Sequence, residues 1–290
     1  MPKKRIIASL IVKGGIVVQS IRFKTYLPVG KPEIAARFLD QWGIDEIALL
    51  DIDASSAGRT IDPELVRRVS RCCYIPITAG GGVSTVDDMR ALLRAGADKI
   101  AVNRVASEDL GLIREASRVF GAQCIIGSID ARRGTDGVYR TFTDSGRRDV
   151  GRHPADYAAA LEDAGVGEIL LNSIDCDGTR EGYDLDLIRQ VSARVGVPVI
   201  ACGGAGRPQD LRQVLAFDEV SAAAAANFFH FAEHSVAVVK SQLMNAGFDV
   251  RLDSQADYRA HPTDADGRLR RLPDPELLDQ YFEFIEEEVI

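Results

Sequence analysis

The chain lacks a surplus of positive charge, a long apolar run and any paired cysteine pattern, and each absence narrows what it can do. Its 290 residues carry 35 Lys and Arg against 43 Asp and Glu, a net charge of −8. Binding to a phosphate backbone normally goes with a basic excess, so nucleic acid is not an expected partner. No apolar stretch approaches the roughly 18 residues that a membrane span needs. The start is basic, Met1-Pro2-Lys3-Lys4-Arg5, but the apolar run after it ends at Lys13 without a small-residue cleavage site. Neither a signal peptide nor a membrane anchor is expected. The five cysteines, Cys72, Cys73, Cys124, Cys176 and Cys202, are odd in number and form neither Cys-x-x-Cys nor a Cys/His ligand spacing. That usage fits a reducing, cytoplasmic setting with thiols packed as small apolar groups, and it offers no metal site. No cofactor is expected either.

What the chain does have is an internal repeat. Ile44–Asp53 (Ile-Asp-Glu-Ile-Ala-Leu-Leu-Asp-Ile-Asp) resembles Val166–Asp175, and Ile75–Gly82 resembles Val197–Gly204. Asp53 and Asp175, Pro76 and Pro198, and Gly81 and Gly203 all stand 122 residues apart, so one register holds across much of a half. The sequence is a duplicated half-domain.

Each half carries four short runs rich in Ile, Val, Leu and Ala without clean alternation, as strands buried on both faces read. They lie near Arg5–Leu10, Glu46–Leu50, Ile75–Ala79, Lys99–Val102, Cys124–Ile129, Glu168–Leu171, Val199–Ala201 and Val220–Ala224. Amphipathic segments such as Lys31–Trp42, Pro63–Arg71, Val86–Arg94, Ala155–Ala164, Leu185–Val195 and Pro208–Phe217 separate them. Eight strands alternating with helices over about 250 residues predict an α/β fold, a (β/α)8 TIM barrel of two repeated half-barrels. An open doubly wound sheet is the alternative, and the two-by-four repeat favours closure. Residues 1–252 are assigned to the barrel and 253–290 to a C-terminal extension, polar at first and then a short acidic helix over Pro273–Ile290. Its simplest role is packing against the barrel or a neighbouring subunit.

In such barrels chemistry sits at the C-terminal strand ends. Gly80-Gly81-Gly82 and Gly203-Gly204-Ala205-Gly206 follow the third and seventh strands, where glycine lets backbone N–H groups approach an anion before a helix begins. Two such turns at symmetric places point to a ligand with two phosphates, and Asn103-Arg104 and Ala226-Asn227 would complete the two cradles. Asp130 ends the fifth strand after an apolar run, where partial burial would raise its pKa and suit it to acid or base work. Its counterpart at the end of the first strand is Ile11. In the second half, Asp177, next to Gly178, would bind substrate hydroxyls or cap a turn. At the other barrel mouth Arg5, Glu46, Lys99 and Glu168 each start a strand, and four charges of alternating sign there would close the mouth as a ring, although charged strand starts are usually solvated.

Several runs closely resemble the cyclase subunit of imidazole glycerol phosphate synthase, the HisF family, over residues 3 to about 252. They are Lys4–Ile7, Leu50–Ser55, Ala79–Gly82, Arg94–Lys99, Gly167–Leu171, Asp177–Thr179, Gly182–Asp184, Gly203–Gly206 and Phe229–Phe231. In that family the barrel pairs with a glutaminase subunit, takes ammonia in at its bottom face and uses it with a bisphosphate at the top. The resemblance implies that Arg5, Glu46, Lys99 and Glu168 form the ammonia gate and that Asp98 contacts the glutaminase. Phosphate or substrate then falls to Gly81, Gly82, Asn103, Arg104, Asp177, Gly178, Gly203, Gly204, Ala226 and Asn227. Asp130 matches one of two catalytic aspartates.

The departures cluster in the first loop, where the family's Asp-Val-Lys-Asp-Gly has become Ile11-Val12-Lys13-Gly14-Gly15 and a substrate-contacting Lys has become Gln19. Ser9 replaces a usual Cys, and Arg104 stands where a small hydroxyl residue is the rule. Loss of a positioned acid or base typically costs about 10²- to 10⁴-fold in rate, which argues against stand-alone cyclase activity. The chain is identified with a divergent branch resembling barrels for acetamidino modification of surface sugars. It is expected to act in a glutamine amidotransferase complex that passes ammonia to a separate sugar amidotransferase. A genuine histidine-biosynthetic cyclase and a non-catalytic phosphosugar-binding scaffold are the alternatives.

Overall fold

The computed structural model describes residues 3–276 apart from Glu233, Gln255 and Asp274, so from 277 onward the acidic helix expected over Pro273–Ile290 lies outside the described residues. Eight parallel strands form the barrel: β1 (Arg5–Lys13), β2 (Glu46–Asp51), β3 (Ile77–Gly80), β4 (Lys99–Val102), β5 (Ile125–Arg133), β6 (Glu168–Ser173), β7 (Val199–Cys202) and β8 (Val220–Ala225). Each pairs with the next, and β8 closes on β1 through Arg5↔Ala222 to Ala8↔Ala225. The open-sheet alternative is thereby excluded.

Helices pack outside this ring, and their starts are written in local sequence. Asp62 accepts from the Glu64 amide at the head of Pro63–Ser70, and Thr85 and Asp88 cap Val86–Arg94 reciprocally. Such side-chain caps satisfy amides that have no partner within the helix. The large core lies between strands and helices, with Ile6, Leu10, Ile47, Leu49 and Ile100 wholly buried. A second, smaller cluster fills the lumen: Ile7, Ala48, Ala101, Ile126, Leu170, Ile200, Ala222 and Ala224. Side chains alternate across a strand, so one set faces the helices and the other the lumen.

Two features exceed the sequence reading. β1 and β5 each run nine residues and continue into antiparallel hairpins: Ile16–Ile21 with Thr25–Gly30 after β1, and Tyr139–Thr143 with Arg148–Asp149 after β5. A signal for the first was present in Gly14-Gly15, which turns the chain at φ 57° and 80° so that Lys13 pairs with Ile16. Helix Leu110–Phe120 and the final helix Ser235–Asn245 were also absent from that reading. The final helix has no wide polar stripe, because both of its sides are covered. On its inner side Lys240, fully buried, donates to Asp45 Oδ1 at 2.6 Å and the Gly43 carbonyl at 2.5 Å. On its outer side the extension lies along it: the Tyr258 amide donates to Ser241 Oγ at 3.0 Å, and Gln242 Nε2 donates to the Gly267 carbonyl at 2.8 Å. Among the described residues no helix is long and apolar enough to cross a membrane, and no group of three or more His, Cys, Asp or Glu is placed to hold a metal ion.

Candidate functional site

At the N-terminal mouth of the barrel the four charges do meet. Arg5 Nη1 donates to Glu46 Oε2 at 2.9 Å and Arg5 Nη2 to Glu168 Oε1 at 2.8 Å. Lys99 Nζ bridges the same two acids at 2.9 and 3.2 Å. Glu46, only 2% exposed, also accepts from Thr78 Oγ1 at 2.7 Å. Each of the four is the first residue of its strand, so the pleat aims them at one point in the mouth. Asp98 stands beside the ring, exposed, with one carboxylate oxygen accepting from the Ile77 amide at 2.8 Å.

The lumen between the mouths is lined by that apolar cluster, and above it opens a cavity of about 590 Å³ at the C-terminal strand ends. Its floor is built from inward-facing residues: Ser9 and Ile11 of β1, Ser128 and Asp130 of β5, and Asn172 of β6. Asp130 accepts from Asn103 Nδ2 at 3.0 Å. Burial pushes its pKa up to about 7, against the pull of the Asn103 and Asn172 amides and with a smaller push from the Asp177 charge. At neutral pH such a carboxyl divides its time between acid and base forms, as proton transfer in both directions requires. Ile11 faces the same cavity as a hydrocarbon. One acid therefore stands where two would make a couple.

The glycine turns are dictated by packing as well as by any ligand. A Cβ on Gly82 would lie 1.8 Å from the Arg59 carbonyl oxygen, and one on Gly204 1.9 Å from that of Gly182. The amides of the following helix starts are already in use: Asp88 accepts from Ser84 and Thr85 N–H, and Asp210 from Gly206 and Arg207 N–H. Free anion-binding donors at those two helix ends are thus fewer than the sequence suggests. Gly81, Gly82, Asn103 and Arg104 line the cavity, as do Asp177 and Ala226, whereas Gly178 and Asn227 pack against Ser20 of the first hairpin, Gly203 against Asn172 and Ser173, and Gly204 against Gly182. Asp177 accepts from Ser20 Oγ at 2.6 Å and the Phe23 amide at 3.3 Å, and burial raises its pKa. Asp53 and Asp175, the repeat's matched acids, accept from the Gly14 and Arg133 amides at the ends of β1 and β5. Both act as loop braces.

A family model described as histidine biosynthesis protein matches residues 5–235. The HisF subunit of imidazole glycerol phosphate synthase from Streptococcus sanguinis (strain SK36) is 42% identical over 252 residues, covering 87% of this chain and 100% of its own. The chain belongs to the HisF family. The corresponding HisF subunit of Clostridium botulinum (strain Langeland / NCTC 10281 / Type F) is 43% identical over 254 residues, 87% of this chain and 100% of its own. A putative imidazole glycerol phosphate synthase subunit hisF2 of Vibrio vulnificus (strain YJ016) is 42% identical over 268 residues, 92% of this chain and 98% of its own. In this HisF-family barrel, sequence reasoning missed Asn172, Arg59 and Arg147, all on the cavity. Asn172 had a legible signal, a polar residue directly after the apolar run Ile169–Leu171. Its buried Oδ1 has no protein partner. Arg59 and Arg147 come from loops, and nothing in their local sequence marks them.

Proposed function

We propose that the chain is the barrel subunit of a glutamine amidotransferase of the imidazole glycerol phosphate synthase type, working in the cytoplasm with a glutaminase partner. The observation that carries this reading is the placement of the Arg5–Glu46–Lys99–Glu168 ring and the Asp130 cavity at opposite mouths of one apolar lumen. Neutral ammonia tolerates an apolar lining far better than a charged ion does. The ring separates a docked glutaminase from the lumen, and Asp98 is the contact offered to that partner. The barrel and the extension divide near residue 252, and the described part of the extension serves the barrel by covering the final helix through Tyr258, Arg259 and Gly267. Glutaminase activity of the purified partner, measured with this protein and with its Asp98→Ala variant, tests the reading. No stimulation by the unaltered protein would sink it.

The names of the relatives weigh toward formation of imidazole glycerol phosphate in histidine biosynthesis, with a phosphorylated acceptor in the cavity and Asp130 serving alone as acid and base. Complementation of a strain lacking the cyclase supports this. A second reading is favoured by Ile11, which removes the partner acid: the ammonia goes to another acceptor, such as a surface sugar amidated by a separate amidotransferase. Failure to complement, together with rescue by Ile11→Asp plus Gln19→Lys, selects the second reading over the first.

A further inference from the structure

The two halves of the repeat treat their matched acids differently. Ile11 and Asp130 are counterparts, so Lys13 and Arg132, two residues on, are counterparts as well. In the first half Asp53 accepts from the Gly14 amide at 2.9 Å and from Lys13 Nζ at 2.6 Å. In the second half the backbone brace is kept, with the Arg133 amide donating to Asp175 Oδ2 at 2.8 Å, but the ion pair is open. The Arg132 guanidinium turns instead onto the Phe142 ring, 4.7 Å from its centroid, and Nη2 donates to the Gly146 carbonyl at 3.3 Å. Arg132 and Asp175 face a second cavity, of about 320 Å³, whose lining is completed by Arg22 and Lys24 of the first hairpin and by Ile174. Among the described residues none of its three cations has an ion-pair partner, and Asp175 Oδ1 has no donor. Three unpaired cations in one concavity, on a chain of net charge −8, make a local positive potential that gathers anions.

This cavity shares no lining residue with the larger one above the lumen. The two come together at Gly146, where a Cβ would stand 3.0 Å from Arg132 Nη2 and 3.2 Å from Ile174 Cδ1 on one side and 3.4 Å from Phe23 Cδ2, of the larger cavity, on the other. Two of the cations are held in place. Arg22 adopts φ 52°, with its amide bonded to the Asp177 carbonyl at 2.9 Å, and non-glycine residues persist in that conformation where surrounding contacts over-determine it, ligand clamps among them. Arg132 is fixed by Phe142 and Gly146, so its planar fork is pre-organised. The chemistry selects the ligand. A phosphoryl group offers three oxygens to three cations, and guanidinium forks suit it. An acidic peptide would set its carboxylates against Asp175, whereas a hydroxyl donates to the free Oδ1. We propose that this second cavity binds a hydroxylated phosphate ester, with the phosphoryl group on Arg22, Lys24 and Arg132 and a hydroxyl on Asp175. The ester ties the first hairpin to the end of β5, and the site does not depend on the ammonia-conducting reading.

Calorimetry and amide NMR on the full chain with ribose 5-phosphate and with methyl phosphate, which has no hydroxyl, test it. The unaltered chain should bind one ribose 5-phosphate more than the Arg22→Asn, Lys24→Gln double variant, in which Asn suits the positive φ. The amide resonances of Lys24, Arg133 and Gly146 should move with that ester, which places it apart from any ester in the larger cavity. Lys24→Gln alone, at an exposed position, should weaken the ester about fivefold or more by removing one charge-assisted contact, and it serves if the double variant does not fold. Methyl phosphate should bind there about threefold or more weakly, for want of the hydroxyl contact. Equal stoichiometry in the unaltered chain and the double variant, or unmoved resonances at those three amides, overturns the proposal. So does equal affinity for the two esters, or tighter binding of a tetraglutamate peptide than of ribose 5-phosphate. Glutaminase stimulation measured on the double variant reports separately on the ammonia-conducting reading.

Discussion

Replacing Asp130 by Asn should stabilise the barrel at alkaline pH while removing the cavity's acid. The carboxyl has a pKa of about 7 in the fold against an ordinary 3.8, with burial the main cause. A raised carboxyl pKa means that the folded chain holds the proton where the unfolded chain has already lost it, so Asp130 draws stability down as pH rises between these values and no further above them. At about 1.36 kcal/mol per pKa unit, the part of that window between pH 5 and 7 is worth about 2.7 kcal/mol. Asn keeps an acceptor for Asn103 Nδ2, which donates to Asp130 Oδ2 at 3.0 Å, and it does not titrate. Urea unfolding of both proteins at pH 5 and pH 8 cancels every other titrating group in the double difference. Asp130→Asn should gain about 2–3 kcal/mol on the parent over that range. A double difference below about 0.5 kcal/mol would place the carboxyl near its ordinary value and refute the argument from burial. Acid–base work by Asp130 at neutral pH would lose its basis with it.

Glu46→Ala leaves Arg5 and Lys99 facing each other with Glu168 alone between them, and breaking such a buried pair costs about 3–5 kcal/mol. Equilibrium unfolding checks this, and a loss under about 1 kcal/mol would mean that water already screens the ring. Gly82→Ala meets the Arg59 carbonyl at 1.8 Å, whereas Gly14→Ala, also at positive φ, meets nothing within 4 Å. The first should cost about 3 kcal/mol or more, with the backbone forced to move, and the second about 1–2 kcal/mol from backbone strain alone. Equal losses in thermal unfolding would show that clash plays no part. Lys240→Met strips a buried donor from Asp45 and the Gly43 carbonyl and should cost about 3 kcal/mol by the same measurement. A neutral outcome would show that the extension 253–270, rather than Lys240, holds the final helix in place.

Much of the barrel was legible because its signal is local and repeated. Buried parallel strands read as unbroken apolar runs, and a register kept at 122 residues from Asp53–Asp175 to Gly81–Gly203 names the half-barrel without any coordinates. Lys99–Val102 and Val86–Arg94 came out with the bounds observed. The hairpin strands were not legible: Tyr139–Thr143 buries two threonines beside its tyrosine, Arg148–Asp149 is charged and exposed at both positions, and the turn at Arg22-Phe23 uses residues that seldom adopt positive φ. Their geometry is imposed by partners far along the chain, Asp177 and Asn227 for one and Ser55 for the other.

By itself the sequence determined the fold, its duplication, the four charges at one mouth and, at the other, Asp130 with Ile11 as its counterpart, because each of these depends on residue type and spacing alone. Only the tertiary structure decided what those residues face. It closed the four charges into a ring, since the barrel brings Arg5 and Lys99 within 2.8–3.2 Å of Glu46 and Glu168 across one mouth. It tied the first hairpin to the far half-barrel, with the Asn227 side chain holding the Ser20 backbone from both sides. That contact cannot be read from local sequence, because the residues it joins stand 207 positions apart in the chain.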